Sequence, residues 1–406
     1  MDTIKQVKDK NKHNTLLKVG ILGISLFLQV AGANVAAIPL ISKSFPGVST
    51  TNIQALFTIP SFTIMLGILF SNAFIKWLGK RMTVFIGMIA TLIGALIPVF
   101  VNNYGVIVFS RLLFGAGIGL FTSLSVSLIG DCFNDEEQKT LIGIQGAMGT
   151  LGNSALTFVA GLLLGINWQT SFLYMLAIIP FIVLFMTSYT SKMEKATSIK
   201  VEPTATKNSS AKAKIPAKIY VTFVLLFLFF AAFMVMSTAG ALTIAEHHLS
   251  NQNWLSTEFA IAGLLGAGIS MLYSKIFKAI GHFTPVAAIA LAVVGFVILA
   301  TASNMVIFFI GLLLIDCGAL VIPYVYDTIL GEVDSSISNL VISIAQVFNN
   351  LGAFASPYVI NFFRNMIGVK DQASSMIISA VILAVIAVIF LIIAVSRTAK
   401  KNQVTA

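Results

Sequence analysis

The chain has 406 residues, of which 57% are hydrophobic and only 10% charged. A soluble domain carries about 25% charged residues, so this composition excludes an ordinary soluble fold and implies an integral membrane protein. The formal net charge of +10 does not point to nucleic acid, because the basic residues sit in short segments between apolar runs.

The polar start MDTIKQVKDKNKHN is read as a charged tail, 1–18, and not as a cleavable signal. The first apolar run, from Val19 to Ile41, is long enough to span a bilayer as a helix. Hydropathy and punctuation predict twelve spans, near 19–41, 53–75, 82–101, 106–129, 140–165, 168–190, 218–245, 257–274, 284–302, 305–326, 338–363 and 374–396. The expected architecture is an all-α membrane protein of two six-helix bundles, 19–190 and 218–396, with a short tail at 397–406. Between the bundles, 191–217 reads as a flexible, solvated tether rich in Lys, Ser, Thr, Pro and Ala.

With the N-terminus inside, the tails, the linker and the loops after even-numbered spans are cytoplasmic. Those segments hold 21 of the 25 lysines and arginines, and only Lys43, Arg364 and Lys370 fall in outer loops. This asymmetry predicts a cytoplasmic N- and C-terminus. The remaining cation, Arg111, lies inside the fourth span.

The two halves echo each other. KWLGKR (76–81) answers KAIGHF (278–283), SLIGD (127–131) answers TILGE (328–332), and IQGAMGTLG (144–152) answers AQVFNNLG (345–352), at offsets of 200–202 residues. Three matches in order at a steady offset predict a duplicated six-helix unit, an arrangement that puts a binding site between the halves near mid-membrane.

On these features the chain resembles the major facilitator superfamily of secondary transporters over essentially its whole length. NAFIKWLGKR (72–81) is similar to the family's loop between spans two and three, and RLLFGAGIG, starting at Arg111, is similar to its arginine–glycine motif in span four. The resemblance implies a conformational role for Lys76, Gly79, Lys80, Arg81, Gly115 and Gly119. The acidic residue usual in the first motif is replaced by Lys76, which removes a charge clamp between helices. Gly149 and Gly152 occur in span five without the proline typical of drug/proton antiporters.

Polar side chains inside spans are costly and face a cavity or another helix. Candidate substrate or coupling residues are therefore Gln29 and Asn34 in span one, Arg111 in span four, Gln145 in span five, Asp316 in span ten, and Gln346 and Asn350 in span eleven. Asn349 shares a helix face with the last two, and hydrogen bonding between helices is the plainer role for all three. The interiors of spans three, six, nine and twelve carry no charged residue, Asn or Gln, and these spans read as lipid-facing walls. Arg111 enters about 8–9 Å along its helix, near enough to the surface for snorkelling, whereas Asp316 lies near the midplane. The glycines of spans four and five, including Gly143, Gly146, Gly149 and Gly152, read as close-packing positions.

No catalytic, nucleotide-binding or metal-ligand pattern is present, and Glu246, His247 and His248 read as loop residues. No cofactor is expected. The expected activity is alternating-access movement of a small amphipathic organic solute across the cell membrane, coupled to protons or to exchange, by a monomer whose partners are that solute and the lipid bilayer. An organic-anion carrier is one alternative, since the lysine-rich polar N-terminus resembles conjugated bile-salt transporters in general appearance. A non-transporting sensor or scaffold is another.

Overall fold

The computed structural model describes residues 14–198, 215–249, 252–334 and 337–405. All regular structure among them is helical. Most of the predicted N-terminal tail lies outside the described residues, as does 199–214 of the predicted linker.

In chain order the helices are α1 (Thr15–Ser25), two 3-10 turns at Val30–Gly32 and Val35–Ala37, α2 (Ile38–Ser44), α3 (Thr50–Phe100), α4 (Tyr104–Cys132) and α5 (Asp135–Leu164). A 3-10 stretch, Thr170–Ala177, leads into α6 (Ile178–Ser188), and α7 (Ser191–Ser198) follows. The second part has α8 (Ala217–Phe233), α9 (Val235–Glu246), α10 (Gln252–Met271), α11 (Tyr273–Ile280) and α12 (Thr284–Thr301). It closes with α13 (Met305–Asp316), a 3-10 turn at Cys317–Leu320, α14 (Val321–Glu332), α15 (Ser338–Ile367) and α16 (Ala373–Thr405).

Among the described residues, ten helical segments are long and apolar enough to cross a membrane. Thr15–Ser25 with Val30–Ser44, bent by 48°, makes an eleventh if the pair is one span. Helix α3 has 51 residues. Its length of about 77 Å at 1.5 Å per residue far exceeds a hydrocarbon core of about 30 Å.

Gly79 breaks that helix, with φ 80° and ψ 169°. That conformation is open essentially to glycine alone. A Cβ at this position would also stand 2.6 Å from Glu194 Oε1. Gly79→Ala is therefore expected to cost about 1–3 kcal/mol and lower the melting temperature of purified protein. Gly143→Ala, whose Cβ meets nothing within 4 Å, should leave it unchanged. Equal melting of the two variants would refute the strain argument. Gly281, which answers Gly79 in the second half, also has a positive φ, 57°.

The duplication seen in the sequence recurs in three dimensions. Asn103 caps α4 by accepting from Val106 N at 3.2 Å, and Asn304 caps α13 by accepting from Ile307 N at 3.0 Å. A Cβ on Gly94 would crowd Phe114 N at 2.6 Å and Ser110 O at 2.8 Å; one on Gly295 would crowd Ile315 N at 2.9 Å and Gly311 O at 2.6 Å. Gly152 presses on the backbone of Leu26, and Gly352 presses on that of Phe227. Small residues at matching positions thus set matching helix approaches, the means by which membrane helices associate without a hydrophobic driving force.

The chain divides into two compact units. One comprises the residues up to Asn34 together with Ile59–Lys212. Its core is built by α1, α4 and α6 with the second part of α3, around Ile21, Phe27, Met88, Phe114, Phe121 and Phe185. The other comprises Val35–Thr58 and Ala213 onward. In it α12 packs on α13 and α16, and α15 packs on α8. Val35–Thr58 is tied into this second unit by Gln54, whose Nε2 donates to Thr238 O at 3.1 Å, and by Thr58, whose Oγ1 donates to Phe354 O at 3.1 Å.

Candidate functional site

Arg111 sits two turns into α4 and is only 2% exposed, so the snorkelling pose is not adopted. One guanidinium nitrogen donates to Gly94 O at 2.6 Å, and Nε donates to Ser110 Oγ at 3.4 Å. The guanidinium lies 5.0 Å from the Phe114 ring centre and 4.7 Å from that of Phe172, so two π-faces share the charge. No ion pair to Arg111 is formed among the described residues. Gly94 belongs to the third predicted span and Phe172 to the sixth, both read as lipid walls. A helix read as a lipid-facing wall still turns one side inward, and there a backbone carbonyl and a phenyl ring receive a guanidinium without any polar side chain to announce them. Tyr174 adds a link, as its hydroxyl donates to Val30 O at 3.3 Å in the broken part of the first span.

That break carries two of the predicted residues. Asn34 is 2% exposed, and neither atom of its amide has a hydrogen-bond partner among the described residues. An orphaned amide beside interrupted helix is the kind of group that membrane carriers direct at solutes or water. Gln29 is exposed, with its amide alongside Gly149 of α5. Gln145 Nε2 donates to Ser125 Oγ at 3.2 Å and so joins α5 to α4. Neither glutamine is hydrogen-bonded to Arg111.

Asp316 ends α13 within the second unit and is half-buried, without an ion pair or hydrogen bond of its side chain among the described residues. By the 201-residue repeat that relates Gly94 to Gly295, Asp316 occupies the place of Gly115 and Leu312 that of Arg111. Gly115 is needed where it stands, since a Cβ there would lie 2.7 Å from Pro60 Cα. On the opposite side of Asp316 is Gly266, whose Cβ would meet the Asp316 carboxyl carbon at 3.5 Å. The missing side chain has moved across the helix pair, leaving room for a carboxylate in one half and for none in the other.

The amide stripe of span eleven resolves into separate roles. Asn349 Nδ2 donates to the Tyr326 hydroxyl on α14 at 3.1 Å, and Gln346 interacts with the same hydroxyl. Asn350 turns back on its own helix, donating to Gln346 O at 2.9 Å.

The residues of the first motif surround the break at Gly79. Lys80 Nζ contacts Asp131 Oδ2 at 2.5 Å and donates to Ser127 Oγ at 2.9 Å, a charge clamp from α3 to the end of α4. Lys76 itself is exposed. Arg81 donates to Tyr189 O at 2.7 Å and Met186 O at 2.9 Å, satisfying carbonyls left open at the end of α6. Its backbone N–H donates to Glu194 Oε1 at 3.1 Å. In the second half Glu332, the counterpart of Asp131, pairs instead with Lys218 at 2.9 Å and with Arg397. Gly119 lies against Gly67, its would-be Cβ 2.7 Å from that Cα, and Gly149 and Gly152 lie against the end of α1 and the Leu26 and Gln29 that follow it. Gly143 and Gly146, also read as packing positions, meet nothing within 4 Å. Glu246 and His247 brace loops, the former accepting from Gln372 N at 2.7 Å.

Sequence reasoning passed over Tyr174, Tyr326, Gln54 and Glu258. The first two carried no charge to flag them. Gln54 and Glu258 stood at the second position of their predicted spans, where a polar residue reads as a boundary.

The chain matches the family model of the Major Facilitator Superfamily over residues 19–357. No curated protein matches it in sequence. Among solved structures it is similar to the nucleoside transporter NupG, at 14% identity and a TM-score of 0.72 over 92% of this chain and 98% of that one. A peptide transporter POT is similar at 13% identity and a TM-score of 0.72, with 94% of each chain covered. The POT family transporter PepTSo gives 12% identity and a TM-score of 0.69 over 94% and 97%. At these identities the likeness is one of fold. The family model covers most of the chain and includes the broken first span, the Gly79 loop and the arginine–glycine helix, and the protein is a multi-pass membrane protein belonging to the Major Facilitator Superfamily.

Proposed function

We propose that the protein is a secondary carrier of twelve spans in two six-span halves, 19–190 and 218–396, joined by the 191–217 linker. It moves a small amphipathic organic solute by alternating access, and Asp316 couples that movement to protons. The observation that carries this reading is the half-buried Asp316 carboxyl, without a cationic partner among the described residues, at a position where the other half has glycine. A membrane-embedded acid without a partner marks a proton or solute path by default. The break at Gly79 supports counting α3 as two spans, and the bent α1–α2 pair supports a first. Structural neighbours described as nucleoside and peptide transporters support a small organic solute. Arg111, covered by two rings and a carbonyl, offers an anionic solute little, which disfavours the organic-anion alternative.

Asp316→Asn is expected to keep folding and solute binding while losing accumulation driven by a pH gradient. Flux into proteoliposomes, with a solute chosen by thermal-stability screening, measures this. Undiminished gradient-driven uptake by the variant would exclude Asp316 as the coupling group, and a natural chain that binds solute without any flux would be a sensor. The basic segments support cytoplasmic termini and a cytoplasmic linker. Labelling of Ser209→Cys by an impermeant thiol reagent from outside intact cells would overturn that orientation.

A further inference from the structure

Within the second unit, α10 and α13 pack side by side and leave a groove between them. Trp254, Thr257, Glu258 and Ile261 form one stripe of α10, at the spacing that puts residues on a common helix face. Met305, Val306 and Phe309 of α13 form the opposite wall. The groove encloses about 430 Å³. That is within the 300–1,000 Å³ range of small-molecule sites. It opens to the exterior at the start of both helices, where Trp254 is 61% and Val306 69% exposed, and the predicted spans place these helix starts at the outer edge of the bilayer.

Six of its seven lining residues carry no charge; the seventh is Glu258. One carboxylate oxygen of Glu258 is buried and has no hydrogen-bond partner, and no ion pair to it forms among the described residues. A carboxylate beside hydrocarbon is costly unless a cation joins it. Apolar walls with one acidic group at their base complement a molecule with an apolar tail and one positive head, and the indole of Trp254 adds a π-face for such a head.

We propose that the α10–α13 groove binds a lipophilic ammonium compound dissolved in the bilayer, its nitrogen at Glu258 and its tail along Ile261, Val306 and Phe309. A single-chain amine suits the enclosed volume better than a two-chain lipid. This binding requires no transport and stands apart from the coupling role assigned to Asp316.

The test uses the full chain in phosphatidylcholine nanodiscs. Trp77→Phe and Trp168→Phe leave Trp254 as the sole tryptophan reporter, and Trp254→Phe in the natural chain gives the same signal by difference. The probes are undecylamine, undecanol and undecanoate, each compared at equal membrane concentration, with binding read as quenching of Trp254 beside the head group. The amine is expected to quench at about tenfold lower concentration than the alcohol, and the carboxylate least. Glu258→Gln should bring the amine to the alcohol's value, and Val306→Phe, which fills the groove without touching the charge, should abolish the amine's advantage. Equal quenching by amine and alcohol overturns the proposal, as does an advantage that survives Glu258→Gln in protein of normal melting temperature. Loss of the amine's advantage in nanodiscs containing phosphatidylethanolamine would assign the groove to an aminolipid headgroup and overturn it equally.

Discussion

Arg111→Leu is expected to fold, reach the membrane at normal abundance and lose at least about tenfold of its transport rate. The repeat supplies the reason for expecting normal folding. Leu312 stands at the equivalent place in the second half, on a helix capped and packed in the same way, and is itself buried at 1% exposure. Leucine thus satisfies the packing demand of this site. A guanidinium does so at a penalty: it gives up water for one strong carbonyl bond and two ring faces, and a desolvated ion costs several kcal/mol that such contacts repay only in part. A cation held at that cost, next to the Phe172 ring two residues from the Tyr174 that bonds the broken first span, is expected to serve transport more than packing. Arg111→Lys keeps the charge but loses the planar fork, so intermediate flux is expected. Flux, abundance and melting temperature must be read together. Normal flux in the leucine variant would reduce Arg111 to a packing residue, whereas loss of abundance would show that the two halves differ in what they need there.

Gly119→Val is expected to destabilise the protein by about 1–3 kcal/mol or more and to reduce membrane abundance. Even the first added carbon would lie 2.7 Å from Gly67 Cα, a backbone atom that cannot rotate away. Gly67 faces the same contact from the other side, its would-be Cβ 2.6 Å from Ala116 O, so neither helix has slack. Relief requires α3 and α4 to move apart, forfeiting dispersion contacts along their length. Gly143→Val is the control, with open space at that position. Thermal melting and size-exclusion profiles of the two variants measure the difference, and a Gly119→Val protein that melts like its control would refute the close-packing account.

The glycines show where the sequence stops short. Gly143, Gly146, Gly149 and Gly152 repeat every three residues, but an α-helix turns 3.6 residues per revolution. Each step therefore rotates by about 60°, and the first and last of the four point to opposite sides. Spacing alone made them equivalent; the position of α1 made only Gly149 and Gly152 contacts.

What the sequence determined by itself was whatever depends on runs and offsets along the chain. Apolar stretches with few charges can satisfy their backbone in lipid only as helices, so the helical membrane class followed directly. The constant offset exposed the duplication, and Arg111 and Asp316 stood out because a charge inside an apolar run is rare. Only the tertiary structure decided what those charges meet. Arg111 is received by Gly94 O and by Phe114 and Phe172, groups with no polar side chain to signal them. Asp316 is given room by the absence of a side chain at Gly266, and Lys80 finds Asp131 across 51 residues. Such partners are chosen by helix rotation and approach, which arise from the packing of whole helices and leave no local trace in the order of residues.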